Sequence, residues 1–154
     1  MPERFADKRD IQSSFPWYGQ DVTARPRPSV FAVLCAILGL ASFDLLLWTC
    51  SLKSLCRVVR KWPIRQRRHK ETPAAIGRIC SAVEKGCVWY PKKAVCLQRS
   101  AVTTCILRSE GVPARMMIGV RSMPFLAHSW VEVEGSVVND WPAVKTFYCS
   151  LLSQ

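Results

Sequence analysis

Hydrophobic and polar positions divide the chain into distinct segments. The first strong signal is "VFAVLCAILGLASFDLLLWTCSLKSLCRVV" at residues 30–59, which predicts a helix. Its apolar run extends from Val30 to Phe43 and is then interrupted by Asp44. Because a bilayer-spanning helix requires about 20 apolar residues, we expect a buried or amphipathic helix here rather than a membrane span.

Two further helices are predicted in the second half of the chain. After Pro73, "AAIGRICSAVEK" carries apolar residues at helical spacing, and we expect Gly86 to end this helix. The stretch at 95–109, "VCLQRSAVTTCILRS", predicts another amphipathic helix, which Gly111 caps and Pro113 prevents from continuing.

The C-terminal part changes to the alternation that is typical of β-strands. "ARMMIGVRS" predicts one strand, and "PFLAHSWVEVEGSVVND", residues 124–140, predicts a hairpin. Helices followed by antiparallel strands indicate an α+β fold, with helices packed on an antiparallel sheet. We divide the chain into a flexible tail at 1–29, an N-terminal helical and basic segment at 30–72, and a compact domain at 73–154.

Charge points to an anionic partner. Lys and Arg number 22 against 11 acidic residues, which gives a net charge of +11. Seven of these cations lie in the basic run at 57–70, "RVVRKWPIRQRRHK", where His69 is interpreted as an exposed surface residue. We interpret this run as a solvated helix end, because nucleic-acid binding would also need stacking or groove-reading residues. A non-catalytic basic adaptor stays an alternative.

The cysteines are interpreted as reduced. There are eight, none in a Cys-X-X-Cys pair, and only two histidines accompany them, so a zinc site is not expected. Residues 1–29 are polar and contain prolines, which does not fit a signal peptide. We therefore expect a cytoplasmic protein without a metal.

Cys96 has the sequence setting of a reactive thiol. It lies in the first turn of the predicted 95–109 helix, where the helix dipole, free backbone N–H groups, Lys92, Lys93 and Arg99 favour thiolate over thiol. Cys105 lies within the apolar stripe of the same helix, so we interpret it as a packing residue.

His128 supplies a candidate base and Asp140 a candidate carboxylate. A three-residue loop, Val133-Glu134-Gly135, would place Asp140 directly across the hairpin from His128, whereas a two-residue turn would place it on the opposite face. With the three-residue loop the chain can form a Cys96–His128–Asp140 triad. The alternative is a packed Cys96, a structural His128 and a turn-capping Asp140.

The stretch from Cys96 to Asp140 closely resembles the transglutaminase-like cysteine proteases of lasso-peptide biosynthesis, which are leader peptidases. The resemblance covers about 45 residues and follows the pattern Cys-Leu-x-Arg, Gly-x-Pro-Ala-Arg, Pro-Phe-x-Ala-His-x-Trp-Val-Glu and Asn-Asp. The matching residues are Cys96, Leu97, Arg99, Gly111, Pro113, Ala114, Arg115, Pro124, Phe125, Ala127, His128, Trp130, Val131, Glu132, Asn139 and Asp140.

This resemblance implies a papain-like or transglutaminase-like core with Cys96 as nucleophile, His128 as general base and Asp140 as orienting carboxylate. It also implies removal of a leader peptide from a ribosomally made precursor, without a cofactor. The implied partners are the precursor leader, a separate leader-recognition protein and an ATP-dependent cyclase. From composition, residues 30–59 and 57–70 are the expected docking surfaces for the last two. Nucleic acid is not expected, and peripheral membrane contact is less favoured. Acyl transfer of the transglutaminase type, with the same triad, stays an alternative.

Overall fold

The computed structural model describes residues 27–65, 73–122 and 125–153. Within these ranges lie α1 (Val30–Thr49), α2 (Leu52–Lys61), α3 (Pro73–Trp89), α4 (Cys96–Ser109), β1 (Arg115–Ser122), β2 (Phe125–Val133), β3 (Ser136–Val137), α5 (Val144–Phe147) and β4 (Cys149–Ser153). The strands form one antiparallel sheet in the order β3-β2-β1-β4. The predicted α+β fold is confirmed.

Some sequence predictions fall on other parts of the chain. Most of the predicted tail, the end of the basic run with His69, and Pro124 lie outside the described residues. The division of the chain at residues 29 and 72 therefore stays a prediction.

The predicted helix over 30–59 is two helices. Ser29 caps α1 because its hydroxyl accepts a hydrogen bond from the backbone N–H of Ala32. Cys50 and Ser51 have extended backbone, which ends α1 and precedes α2. The prediction of one continuous helix is therefore wrong.

Gly86 does not end its helix. α3 continues to Trp89, and Gly86 lies inside it against α1. A Cβ at Gly86 would come within 3.0 Å of the Cβ of Ala36. The glycine thus permits a close helix–helix contact, which local sequence does not distinguish from a helix stop.

One core joins the N-terminal helices to α4. Its buried residues come from α1, α2, α3, α4 and β1 and are Ala36, Leu40, Phe43, Leu55, Cys56, Val59, Val83, Ala101, Val102, Cys105 and Met116. α4 also packs on β2. The first residue of α4, Cys96, is thereby held at the junction of the helices and the sheet.

The C-terminus of α4 follows its sequence prediction. Gly111 has a φ of 92°, in the left-handed region that suits glycine. Its N–H donates to the carbonyl of Arg108, and the N–H of Val112 donates to the carbonyl of Leu107. This is the Schellman pattern, so the predicted role of Gly111 as cap is confirmed.

The hairpin between β2 and β3 has a two-residue turn. Val133 pairs with Ser136, and Glu134 and Gly135 between them have φ values of 50° and 80°. Positive φ at both central residues is the type I′ geometry that matches the twist of paired strands. The predicted three-residue loop is wrong. Glu134 adopts a positive φ, which is uncommon for glutamate and which the sequence therefore does not indicate.

Gly119 makes a close contact that predicts a stability effect. A Cβ there would lie 2.7 Å from Cη2 of the buried Trp130. We expect Gly119→Ala to lower the free energy of unfolding by about 1–3 kcal/mol, measured by urea denaturation, because the indole must shift within a packed core. Trp130→Phe removes the clashing ring atoms. The free energy of unfolding of the double variant should therefore fall by less than the sum of the decreases in the two single variants. A decrease equal to that sum would contradict the clash.

Candidate active site

The N-terminus of α4 is capped by its own third residue. The side-chain oxygen Oε1 of Gln98 accepts a hydrogen bond from the backbone N–H of Val95 at 3.1 Å. Cys96 follows as the first residue of the helix, half-buried. Its position at a helix N-terminus, as predicted, is confirmed.

Asp44 of α1 holds the segment that leads into Cys96. Its carboxylate accepts hydrogen bonds from Nε2 of Gln98 at 2.9 Å, from Nζ of Lys92 at 2.7 Å and from the hydroxyl of Tyr90 at 3.1 Å. In the sequence, Asp44 is visible only as an interruption of an apolar run. Its role could not be read from the sequence, because its partners lie more than forty positions away.

His128 and Asp140 are in direct contact. The imidazole Nε2 lies 2.7 Å from Oδ2 of Asp140. Because Nε2 is occupied, Nδ1 is the ring nitrogen left for Cys96, whose thiol is in hydrogen-bonding contact with His128. The structure therefore brings all three sequence-predicted site residues together in one chain of contacts.

Asn139 explains how Asp140 reaches His128 despite the two-residue turn. After β3 the chain bends, and Oδ1 of Asn139 accepts the backbone N–H of Val131 at 2.7 Å. Its Nδ2 donates to Oγ of Ser100 at 3.1 Å, and that hydroxyl donates to the carbonyl of Ser129 at 3.0 Å. This buried network fixes the segment that carries Asp140 to both β2 and α4.

Cys96 and His128 each stabilise the charged form of the other. Contact with His128 is the main cause that lowers the pKa of Cys96 to about 7; burial opposes it, and the backbone N–H of Ser129 assists. The hydrogen bond with Asp140, followed by contact with Cys96, raises the pKa of His128 to about 9. A thiolate–imidazolium pair is therefore favoured between these two values.

Asp140 stays ionised although it is partly buried. Burial acts to raise its pKa, but the hydrogen bond with His128, a hydrogen bond from the backbone N–H of Trp141 and the charge of Arg99 together lower the pKa below its ordinary value. Nη2 of Arg99 lies 2.9 Å from Oδ2, the same oxygen that contacts His128. Arg99 and Lys92, which sequence analysis placed beside the thiol, are thus paired with Asp140 and Asp44 instead.

The other cysteines have a different chemistry. All eight are free. Burial raises the pKa of Cys105 to about 12 and also raises the pKa of Cys56 and Cys87. In the part of the chain that the structure describes, no three His, Cys, Asp or Glu side chains are grouped as a metal site.

The pKa values predict how Cys96 reacts with iodoacetamide. The alkylation rate should rise through about pH 7, as the thiol ionises, and change again near pH 9, as His128 loses its proton. Mass spectrometry of the Cys96 peptide measures this rate, with buried Cys105 as an unreactive internal control. A single rise near pH 8.5, the behaviour of an ordinary thiol, would contradict the ion pair.

Replacement of Arg99 should shift the alkaline step in the pH profile of Cys96 alkylation. In Arg99→Gln, Asp140 keeps its charge but no longer shares Oδ2 with a cation, so it should hold the proton of His128 more tightly. The step near pH 9 should therefore move to higher pH, and Arg99→Lys should move it less. An unchanged alkaline step in Arg99→Gln would mean that Arg99 does not act on His128 through Asp140.

The chain is similar to known proteins at the level of a family and of one partial relative. The family model described as the transglutaminase-like superfamily matches residues 37–153. Over 53 residues the chain is 47% identical to the Microcin J25-processing protein McjB of Escherichia coli, a stretch that covers 34% of this chain and 26% of that protein. The matched stretch thus spans about a quarter of the length of that relative. No solved structure matches the chain.

Proposed function

Since the chain belongs to the transglutaminase-like superfamily, we propose that it is a cysteine peptidase that removes the leader peptide from the precursor of a lasso peptide. The observation that carries this proposal is the continuous contact from thiol to imidazole to carboxylate at Cys96, His128 and Asp140. The similarity to a microcin-processing protein supports the choice of substrate class.

The first half of the reaction is acylation. Sγ of the Cys96 thiolate attacks the carbonyl carbon of the scissile peptide bond, and the resulting tetrahedral oxyanion lies near the backbone N–H groups that begin α4. His128, as imidazolium, donates its proton to the amide nitrogen as the C–N bond breaks. The core peptide leaves with a free amino terminus, and the leader remains as a thioester on Cys96.

The second half of the reaction is hydrolysis. His128, now neutral, takes a proton from water, and the oxygen of that water attacks the thioester carbonyl. The C–S bond breaks, the leader leaves with a free carboxylate, and the thiolate–imidazolium pair is restored. Asp140 holds the imidazole in the orientation that both steps require, because it occupies Nε2 and leaves Nδ1 toward Cys96.

The partners belong to the proposal as well. We place the enzyme in the cytoplasm, where a separate leader-recognition protein would present the precursor and an ATP-dependent cyclase would close the ring of the released core. No residue of the site is assigned to a cofactor or a metal.

The test is mass spectrometry of a precursor peptide that has been incubated with the protein and a leader-binding partner in H₂¹⁸O. Hydrolysis predicts a leader fragment whose new carboxylate contains one ¹⁸O atom. A leader joined to an added amine, without ¹⁸O, would identify acyl transfer instead. If the precursor stays uncleaved under conditions where Cys96 is reactive, the peptidase proposal fails and the non-catalytic basic adaptor is favoured.

A further inference from the structure

The outer face of α1 is apolar and exposed, although its opposite face is buried. The exposed residues recur at helical spacing, so they share one side of the helix. We call this set the outer stripe; it consists of Val30, Phe31, Leu34, Leu38, Leu45 and Trp48. Leu38 is 67% exposed and Trp48 is 84% exposed. Such a contiguous apolar surface marks a binding face rather than an ordinary solvated helix.

α1 is fixed to the protein along its inner face. Ala36, Leu40 and Phe43 are buried in the core, and Asp44 holds Lys92 and Gln98 beside the candidate site. Within the described residues, α1 is the one helix that is long and apolar enough to cross a membrane by length and composition, a test that buried helices and signal sequences also pass. Crossing would expose this core face and break the Asp44 contacts. The outer stripe is therefore suited to lie flat on a surface.

The hydroxyl groups on the exposed side of α1 are satisfied within the helix. The hydroxyls of Ser42 and Thr49 are exposed, yet each donates to a carbonyl of its own helix, to Leu38 and Leu45, at 2.8 Å. This internal bonding is how serine and threonine are satisfied where water is absent. The exposed side of α1 can therefore be buried in lipid without leaving these two hydroxyls unsatisfied.

The net charge of the segment that contains the outer stripe complements an anionic surface. Across residues 27–65, Asp44 is the only acidic residue, and it is paired with Lys92. The exposed cations of this range precede or follow α1 in the sequence and are Arg27, Lys53, Arg57, Arg60, Lys61 and Arg65. Trp48, near the end of α1, is a residue type that is enriched at the level of lipid headgroups.

We propose that the outer stripe of α1 binds the surface of an anionic lipid bilayer, with the helix in the plane of the membrane and the core face of the protein kept intact. The chain is then a peripheral membrane protein, and its N-terminal helices are a lipid-binding surface rather than the protein-docking surface that sequence analysis expected. This inference goes beyond the proposed peptidase reaction and does not depend on it.

The test is flotation of the full chain with vesicles of phosphatidylcholine alone and of phosphatidylcholine with phosphatidylglycerol. We expect the wild type to float with the anionic vesicles and to be released as the salt concentration rises. The stripe variant Leu34→Gln/Leu38→Gln/Leu45→Gln should bind about tenfold more weakly or worse. The matched control Val88→Gln/Leu151→Gln, which changes exposed apolar residues elsewhere, should float like the wild type.

Protection of the buried Cys105 from iodoacetamide shows that each variant is folded, and this measurement needs no peptidase substrate. A wild type that does not float, or a stripe variant that floats equally well, would overturn the proposal. Self-association in sedimentation velocity that the stripe variant abolishes, without vesicle binding, would assign the stripe to a second copy of the chain instead and would also overturn it.

Discussion

Cys96→Ala is expected to abolish release of the leader peptide, with a fall in kcat/KM of about 10⁴-fold or more. Alanine cannot form the thioester, and no other residue of the site can replace it, because the His128 imidazole is oriented toward the Cys96 thiol. The measurement is the rate at which the leader fragment appears by mass spectrometry, under conditions where the wild type completes the reaction.

Cys105→Ala is the matched control on the same helix. Burial raises the pKa of Cys105 to about 12, so this thiol is not ionised at any pH where the enzyme would work. Its removal should leave the rate of leader release within a few-fold of the wild type. Cleavage by Cys96→Ala at the wild-type rate, or loss of cleavage in a folded Cys105→Ala, would contradict the assignment of the nucleophile.

His128→Ala is expected to lose nearly as much activity as Cys96→Ala. The imidazole is the largest cause that lowers the pKa of Cys96, and burial acts in the opposite direction, so without it the thiol pKa should rise above about 7. The variant therefore loses the thiolate near neutral pH and also loses the acid that protonates the departing amine. Both kcat/KM and the alkylation rate of Cys96 near neutral pH should fall.

Asp140→Asn separates charge from orientation. Its side-chain oxygen can still accept a hydrogen bond from Nε2 of His128, but the charge that raises the pKa of His128 is gone. Its activity should lie between those of the wild type and His128→Ala, and the alkaline step in the alkylation profile should move to lower pH. For the His128→Ala variant, a Cys96 alkylation rate equal to that of the wild type would contradict the thiolate–imidazolium pair.

The site shows which contacts a sequence can reveal. The position of Cys96 at a helix N-terminus followed from local pattern, because helix periodicity and the Gly111 cap are local signals. The contact between His128 and Asp140 was predicted, but through the wrong loop. The actual register depends on positive φ at Glu134, and the actual contact depends on Asn139.

The Asn139 network and the Asp44 cluster depend on long-range packing. The amide of Asn139 bonds to Ser100 and Val131, residues that nothing in the local pattern connects to it. In α1, apolar residues occur on all sides of the helix, so periodicity could not tell the core face from the outer face. For the same reason, Asp44 was interpreted as an interruption of the apolar run, although its carboxylate holds Lys92 and Gln98 beside the candidate site.

The proposed reaction depends on Cys96 as the nucleophile that attacks the carbonyl carbon of the bound leader. It is tested most directly with a leader peptide whose C-terminal residue carries a chloromethyl ketone, incubated with the protein and its leader-binding partner and analysed by peptide mapping. We expect one adduct, on Cys96, that excess unmodified precursor prevents. Labelling of the exposed Cys50 or Cys149 at an equal rate, or no precursor-sensitive adduct on Cys96, would contradict it.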